Sequence, residues 1–96
     1  MEILVVYDVA TEDARGRRRL RRVAQCCQAY GQRVQKSVFE CVINEADLER
    51  LIARLRAEMD EASDSVRIYR LREPLSTHLL TLGARPSFDQ RDPLVF

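Results

Sequence analysis

Residues 33–43 read RVQKSVFECVI, and this stretch decides the fold. Its valines, phenylalanine and isoleucine give it the composition of β-structure. It is long for one strand, and its polar break falls at Lys36 and Ser37. The reading is therefore a short strand, a tight turn near Lys36 and Ser37, and a second strand.

Working outward, residues 3–9 (ILVVYDV) are apolar and β-branched, interrupted only by Asp8, and read as a largely buried strand. Thr11, Glu12 and Asp13 supply helix-start chemistry, with acidic groups suited to a helix N-terminus. Leu20, Val23, Ala24, Cys27 and Tyr30 recur at helical spacing, which predicts an amphipathic helix over about 14–30 with Gly31 as its C′ residue. Beyond the hairpin, Asn44 is the cap of a second helix whose apolar stripe is Leu48, Leu51, Ile52, Leu55 and Met59, running to about residue 61. Ser63, Asp64 and Ser65 read as a turn, and residues 66–71 (VRIYRL) alternate like a half-buried strand. The order is β-α-β-β-α-β, an α+β chain of the ferredoxin-like, split βαβ type.

Residues 73–96 form a tail punctuated by Pro74, Gly83, Pro86 and Pro93. Residues 77–82 are a candidate fifth strand, and the chain ends on the apolar PLVF of residues 93–96. Sheet edges invite pairing with another chain, so the tail is expected to extend a sheet, that of a partner protomer. With no repeats and no low-complexity linker, residues 1–96 read as a single domain. So short a chain buries a modest core, and dimerisation would add to it.

Net charge is close to zero but unevenly spread: +4 over residues 1–36, −5 over residues 37–65 and +2 over residues 66–96. A basic start is consistent with a polyanionic partner. Of 16 basic residues only Lys36 is lysine, and arginine suits bidentate phosphate contacts. Cys26, Cys27 and Cys41 form no CxxC pair and His78 is the single histidine, which argues against a zinc site. Three cysteines without a signal peptide fit a reducing, cytoplasmic setting with buried or half-buried thiols, and no apolar run is long enough to span a membrane.

Two features carry chemistry. Asp8 is a carboxylate in an apolar strand, and burying a charge is costly. Either it bonds backbone N–H groups of the following loop, or it serves metal binding or acid–base work. One aspartate is a poor hydrolytic metal site, but two copies near a two-fold axis could hold one Mg2+ between them, or share a proton. Arg15, Arg17, Arg18, Arg19, Arg21 and Arg22 crowd the first helix. Helical geometry sets Arg15, Arg18 and Arg22 opposite Leu20, with Arg19 and Arg21 flanking. They form either a solvated face or a phosphate-binding one, since a polyanion would relieve their mutual repulsion. Ser37 lacks a His or Cys partner, which removes serine-type catalysis; Phe39 reads as core and His78 as incidental.

These residues closely resemble the Cas-two family, the small CRISPR-associated protein that accompanies the CRISPR integrase. The resemblance is carried by VVYDV at residues 5–9, YGQRVQKSVFEC at 30–41 and SVRIYRL at 65–71, and extends to the arginine-rich first helix. The closing LG at residues 82–83 and DPLVF at 92–96 look like the form found with type I-C systems. The resemblance implies a ferredoxin-like homodimer whose C-terminal strand joins the partner's sheet. It implies a place in spacer acquisition, bridging the integrase while holding double-stranded prespacer DNA. It also implies metal-dependent endonuclease activity on single-stranded RNA or double-stranded DNA. The family's catalytic and metal-binding aspartate falls on Asp8, its tyrosine on Tyr7 and its phenylalanine on Phe39. Its basic positions fall on Arg33 and within the first helix, where Arg18, Arg19 and Arg22 are the candidates.

Two functions follow from this. One is a Mg2+-dependent endonuclease with Asp8 from both protomers at its centre. The other is a non-catalytic DNA-binding adaptor working through the arginines, and the two are compatible. A base-stacking RNA binder ranks behind both, because the chain has few aromatic residues.

Overall fold

The computed structural model describes residues 1–84. Expectations about residues 85–96, including the PLVF end, lie outside the described residues. Strand β1 (Glu2–Asp8) leads to helix α1 (Ala14–Gln28). The hairpin β2 (Gly31–Gln35) and β3 (Val38–Val42) follows, then helix α2 (Glu45–Glu58) and strand β4 (Ser65–Leu71). The strands form one antiparallel sheet in the order β2-β3-β1-β4, the ferredoxin-like arrangement.

The hairpin turns at Lys36 and Ser37, as its sequence predicts. Pairing runs from Gly31↔Cys41 to Arg33↔Phe39 and then slips to Gln35↔Val38, so Val34 sits in an irregularity that bends β2. The Tyr7 N–H donates to the Ser37 carbonyl at 3.1 Å and holds the turn against the end of β1.

Both helices cover one face of the sheet. Ile3, Val5, Tyr7, Phe39 and Cys41 point toward them and meet Val23, Ala24, Cys27, Leu51 and Leu55. The helical stripes expected from spacing are the ones buried, although Leu20, Ile52 and Met59 lie at the core's margin. Val66 and Ile68 are only half-buried because β4 is an edge strand, leaving a groove beside it lined also by Ile52, Leu55 and Met59. The opposite face follows by alternation. In register it carries Glu2, Val42 and Leu71, then Leu4, Glu40 and Tyr69, then Val6, Val38 and Arg67, and finally Asp8 beside Ser65. No helix of the described residues covers this second face, and Val42 is 76% exposed on it.

Helix ends follow local chemistry. Asp13 caps α1 by accepting from the Gly16 N–H at 2.8 Å, and Asn44 caps α2 by accepting from the Asp47 N–H at 2.8 Å.

Several expectations need correction. Gly31 is not a left-handed C′ residue: α1 ends at Gln28, and Gly31 opens β2 without a positive φ. Glycine is required there by close approach, since a Cβ would collide with the Cys41 Sγ and the Glu40 carbonyl oxygen. The first strand stops at Asp8 instead of Val9, and α2 stops at Glu58. Residues 77–82 are not a strand within the single chain: a short 3-10 turn spans Leu75–Thr77, and irregular backbone follows. Leu79, Leu80 and Leu82 are exposed there, so this part of the tail lacks a covering surface in the single chain.

Candidate nucleic-acid and metal site at the end of the first strand

Asp8 was expected inside an apolar strand. It is the last residue of β1 and is exposed, on the face away from the helices. The charge escapes burial because alternation turns it outward and the strand ends there. Its carboxylate makes no hydrogen bond or ion pair with the described residues, so backbone capping of the next loop does not occupy it. Among the described residues no three His, Cys, Asp or Glu side chains converge on a metal-binding group. A single free carboxylate is nonetheless within what Mg2+ takes from one chain, because it keeps waters and takes phosphate oxygens for the rest. The residues present fit half of such a site.

Tyr7, Phe39 and Arg33 lie together on the other side of the sheet, inside the core. Tyr7 and Phe39 stack with ring centroids 6.2 Å apart, and the Arg33 guanidinium lies 4.9 Å from the centre of the Phe39 ring. The Tyr7 hydroxyl donates to the Lys36 carbonyl at 3.2 Å, and Arg33 Nη1 donates to the same oxygen at 2.9 Å. Burial pushes the Tyr7 phenol up to about 12, although nearby Arg33 pulls the other way. Tyr7 is therefore a neutral hydrogen-bond donor at physiological pH. Burial also lowers the Arg33 pKa, though only from a very high ordinary value. The structure brings these three side chains together, but not to Asp8: sequence neighbours Tyr7 and Asp8 face opposite ways. Arg33, the basic position that the family resemblance implies for nucleic-acid binding, is 7% exposed and packs in the interior.

The arginines of α1 divide into two groups. Arg15, Arg17, Arg18, Arg21 and Arg22 are exposed, and of these only Arg22 has an ion pair within the described residues, a loose one to Glu58 at 3.5 Å. Arg19 turns inward. Its Nε donates to Asp64 Oδ2 at 2.8 Å and its Nη2 to Asp64 Oδ1 at 3.3 Å. Asp64 was read as a turn residue, and its role escaped the sequence. Its side chain is fully buried, and it also accepts from the backbone N–H groups of Ala10 at 3.0 Å and Asp60 at 2.9 Å. Burial alone would raise this carboxyl, but the hydrogen bonds from Arg19, Asp60 and Ala10 outweigh it and hold it below the usual range. No spacing rule links Arg19 with Asp64, which are 45 positions apart.

Comparison with known proteins agrees with this architecture. Residues 1–76 match the family described as CRISPR associated protein Cas2. The chain is 55% identical over 95 residues to CRISPR-associated endoribonuclease Cas2 1 of Moorella thermoacetica, covering 99% of each chain. It is 49% identical over 96 residues to CRISPR-associated endonuclease Cas2 of Halalkalibacterium halodurans, covering all of both. The crystal structure of Streptococcus pyogenes Cas2 at pH 6.5 superposes with a TM-score of 0.78 at 48% identity, over 86% of this chain and 100% of that one. With the sheet order, the residues around Asp8 and matches of this length in agreement, the chain belongs to the CRISPR-associated Cas2 family.

Proposed function

We propose that this chain acts as a homodimeric, Mg2+-dependent endonuclease in CRISPR adaptation, with Asp8 of each protomer supplying half of the metal site. The observation that carries this reading is Asp8 itself, an exposed carboxylate without a partner among the described residues, at the end of an uncovered sheet face. That face supports the dimer. Leu4, Val6, Val38, Val42, Tyr69 and Leu71 give it apolar surface, and such patches on small domains are interaction surfaces. Two copies packed through it would set their Asp8 residues on a common interface. The tail would then find its cover on the partner's sheet edge. Bound Mg2+ would activate water and offset charge on the phosphodiester. The protein's own part is to present Asp8 unpaired and to fix the hairpin turn through Tyr7, Arg33 and Phe39. The relatives' names, endoribonuclease and endonuclease, support phosphodiester cleavage on RNA or double-stranded DNA.

Cleavage of single-stranded RNA and duplex DNA is measured with Mg2+, with EDTA, and in Asp8→Asn. Loss in both EDTA and the variant is expected; undiminished cleavage by Asp8→Asn sinks the reading.

A second reading has its own observation. The exposed Arg15, Arg17, Arg18 and Arg21 side chains make no ion pair among the described residues, which suits a duplex-holding adaptor that bridges the integrase around prespacer DNA. Cytoplasmic residence, where such DNA lies, belongs to this proposal. No helix of the described residues is long and apolar enough to cross a membrane. A spacer-acquisition assay on Asp8→Asn separates the readings, since an adaptor keeps acquisition without cleavage.

A further inference from the structure

The loop that leaves Asp8 is held from three sides at a single residue, Ala10. The Ala10 N–H donates to Asp64 Oδ1 at 3.0 Å, and the Ala10 carbonyl accepts from Arg19 Nη2 at 3.5 Å. Gly16 of α1 closes the third side, where a Cβ would collide with the Ala10 carbonyl oxygen. Arg19 and Asp64 bind each other through two further hydrogen bonds, and Asp64 is anchored to the segment just after α2 through the Asp60 N–H. On the opposite strand, Ser65 is the register partner of Asp8 and follows Asp64 directly. The backbone is thus fixed both beside Asp8 and two residues beyond it.

We propose that Arg19 and Asp64 are a positioning pair for Asp8, acting through Ala10, and that Arg19 is not a phosphate ligand. This rests on the reading that Asp8 is the functional carboxylate. An exposed acidic side chain at a strand end would otherwise move with its loop, and displacement of about 1 Å at a reacting group lowers turnover steeply. Arg19 differs from its neighbour Arg18 in this respect: Arg18 is exposed, whereas the Arg19 guanidinium is spent on a buried carboxylate and a backbone carbonyl.

The test uses the full chain and compares Arg19→Ala, Arg19→Lys and Asp64→Asn with Arg18→Ala and Asp8→Asn. Three quantities are read: kcat and KM for cleavage with Mg2+, the salt dependence of duplex binding, and backbone amide NMR of the metal-free protein. In Arg19→Ala and Asp64→Asn, kcat should fall about 10- to 100-fold with KM within about twofold. The Ala10 amide should lose exchange protection and the Asp8 amide resonance should shift. Arg19→Lys should recover part of kcat. The slope of log affinity against log salt should be unchanged in Arg19→Ala but shallower by about 1 in Arg18→Ala. A slope reduced equally in Arg19→Ala makes it a phosphate ligand and overturns the proposal. So does an unchanged kcat, or an unmoved Asp8 resonance, in a folded Arg19→Ala or Asp64→Asn variant. If Asp64→Asn does not fold, the two Arg19 variants decide. If Asp8→Asn cleaves like the parent, the role of Asp8 fails by itself, while the slope and the resonances still judge the pair.

Discussion

Asp8 and Asp64 are carboxylates at the same end of the sheet with opposite fates. Asp8 pairs in register with Ser65, and Asp64 is the residue before Ser65, so strand alternation sends the two side chains to opposite faces. Asp64 is enclosed and accepts four hydrogen bonds, two of them from Arg19. Asp8 is exposed, and its carboxylate engages none of the described residues. A buried carboxylate is tolerated only where donors compensate its lost hydration, so Asp64 gathers Arg19, Ala10 and Asp60 around it. An exposed one imposes no such demand and stays available. The chain uses the same functional group once to hold the fold and once to face a ligand.

The contrast can be broken at either carboxylate. The largest effect should come from Asp8→Asn, which is expected to lower Mg2+-dependent cleavage about 100-fold or more while leaving the melting temperature unchanged. A large fall in melting temperature would make Asp8 structural and erase the difference. Asp64→Ala should do the reverse in stability, costing roughly 2–3 kcal/mol in denaturant unfolding because buried N–H donors lose their acceptor. A change under about 0.5 kcal/mol would show that Asp64 is as dispensable as a surface residue.

Gly16→Ala probes the same loop without touching charge. Its Cβ would collide with the Ala10 carbonyl oxygen, so about 1–3 kcal/mol of destabilisation is expected. An Ala variant as stable as the parent would mean that this loop yields freely.

The two pH limits sharpen the comparison further. The Asp64 carboxyl is depressed in the fold, so its contribution is present above the ordinary value of 3.8 and is lost as pH falls through the depressed one. Asp64→Asn should flatten that acid limb, and an unchanged limb would assign it to other groups. At the alkaline end, burial pushes Cys27 and Tyr7 up to about 12 and Cys41 up to about 11. Groups with raised values stabilise the fold fully below their unfolded values and lose that contribution as pH rises through the folded ones. Stability should therefore fall progressively as pH rises above 9, the ordinary thiol value, toward about 11, read by urea titration; a flat profile would mean that the thiols are not held in a dry core.

The smallest effect belongs to the exposed arginines. Arg18→Ala should weaken duplex binding a few-fold at moderate salt without altering stability. An unaltered salt slope would return that helix face to plain solvation.

The sequence made most of the architecture legible. The hairpin turn at Lys36 and Ser37, both helical stripes and the Asn44 cap were readable because each depends on residues close together in the chain. Gly31 was misread for an instructive reason. A glycine after a helical stripe has a local explanation, whereas the actual one is Cys41 on the neighbouring strand. Residues 77–82 are not a strand within the single chain, and composition alone does not say whether a partner edge is present.

The candidate site divides along the same line. That Asp8 stands out among apolar residues, and that six arginines crowd eight positions of the first helix, is written in the sequence. The tertiary structure alone decided that Asp8 faces outward, that Arg33 packs inside over Phe39, and that Arg19 belongs to Asp64 and not to the exposed arginine face. The physical reason is range. Periodicity and capping act over a few residues and leave their mark in composition, whereas a buried ion pair joins positions that only the closed sheet and its helices bring within hydrogen-bonding distance.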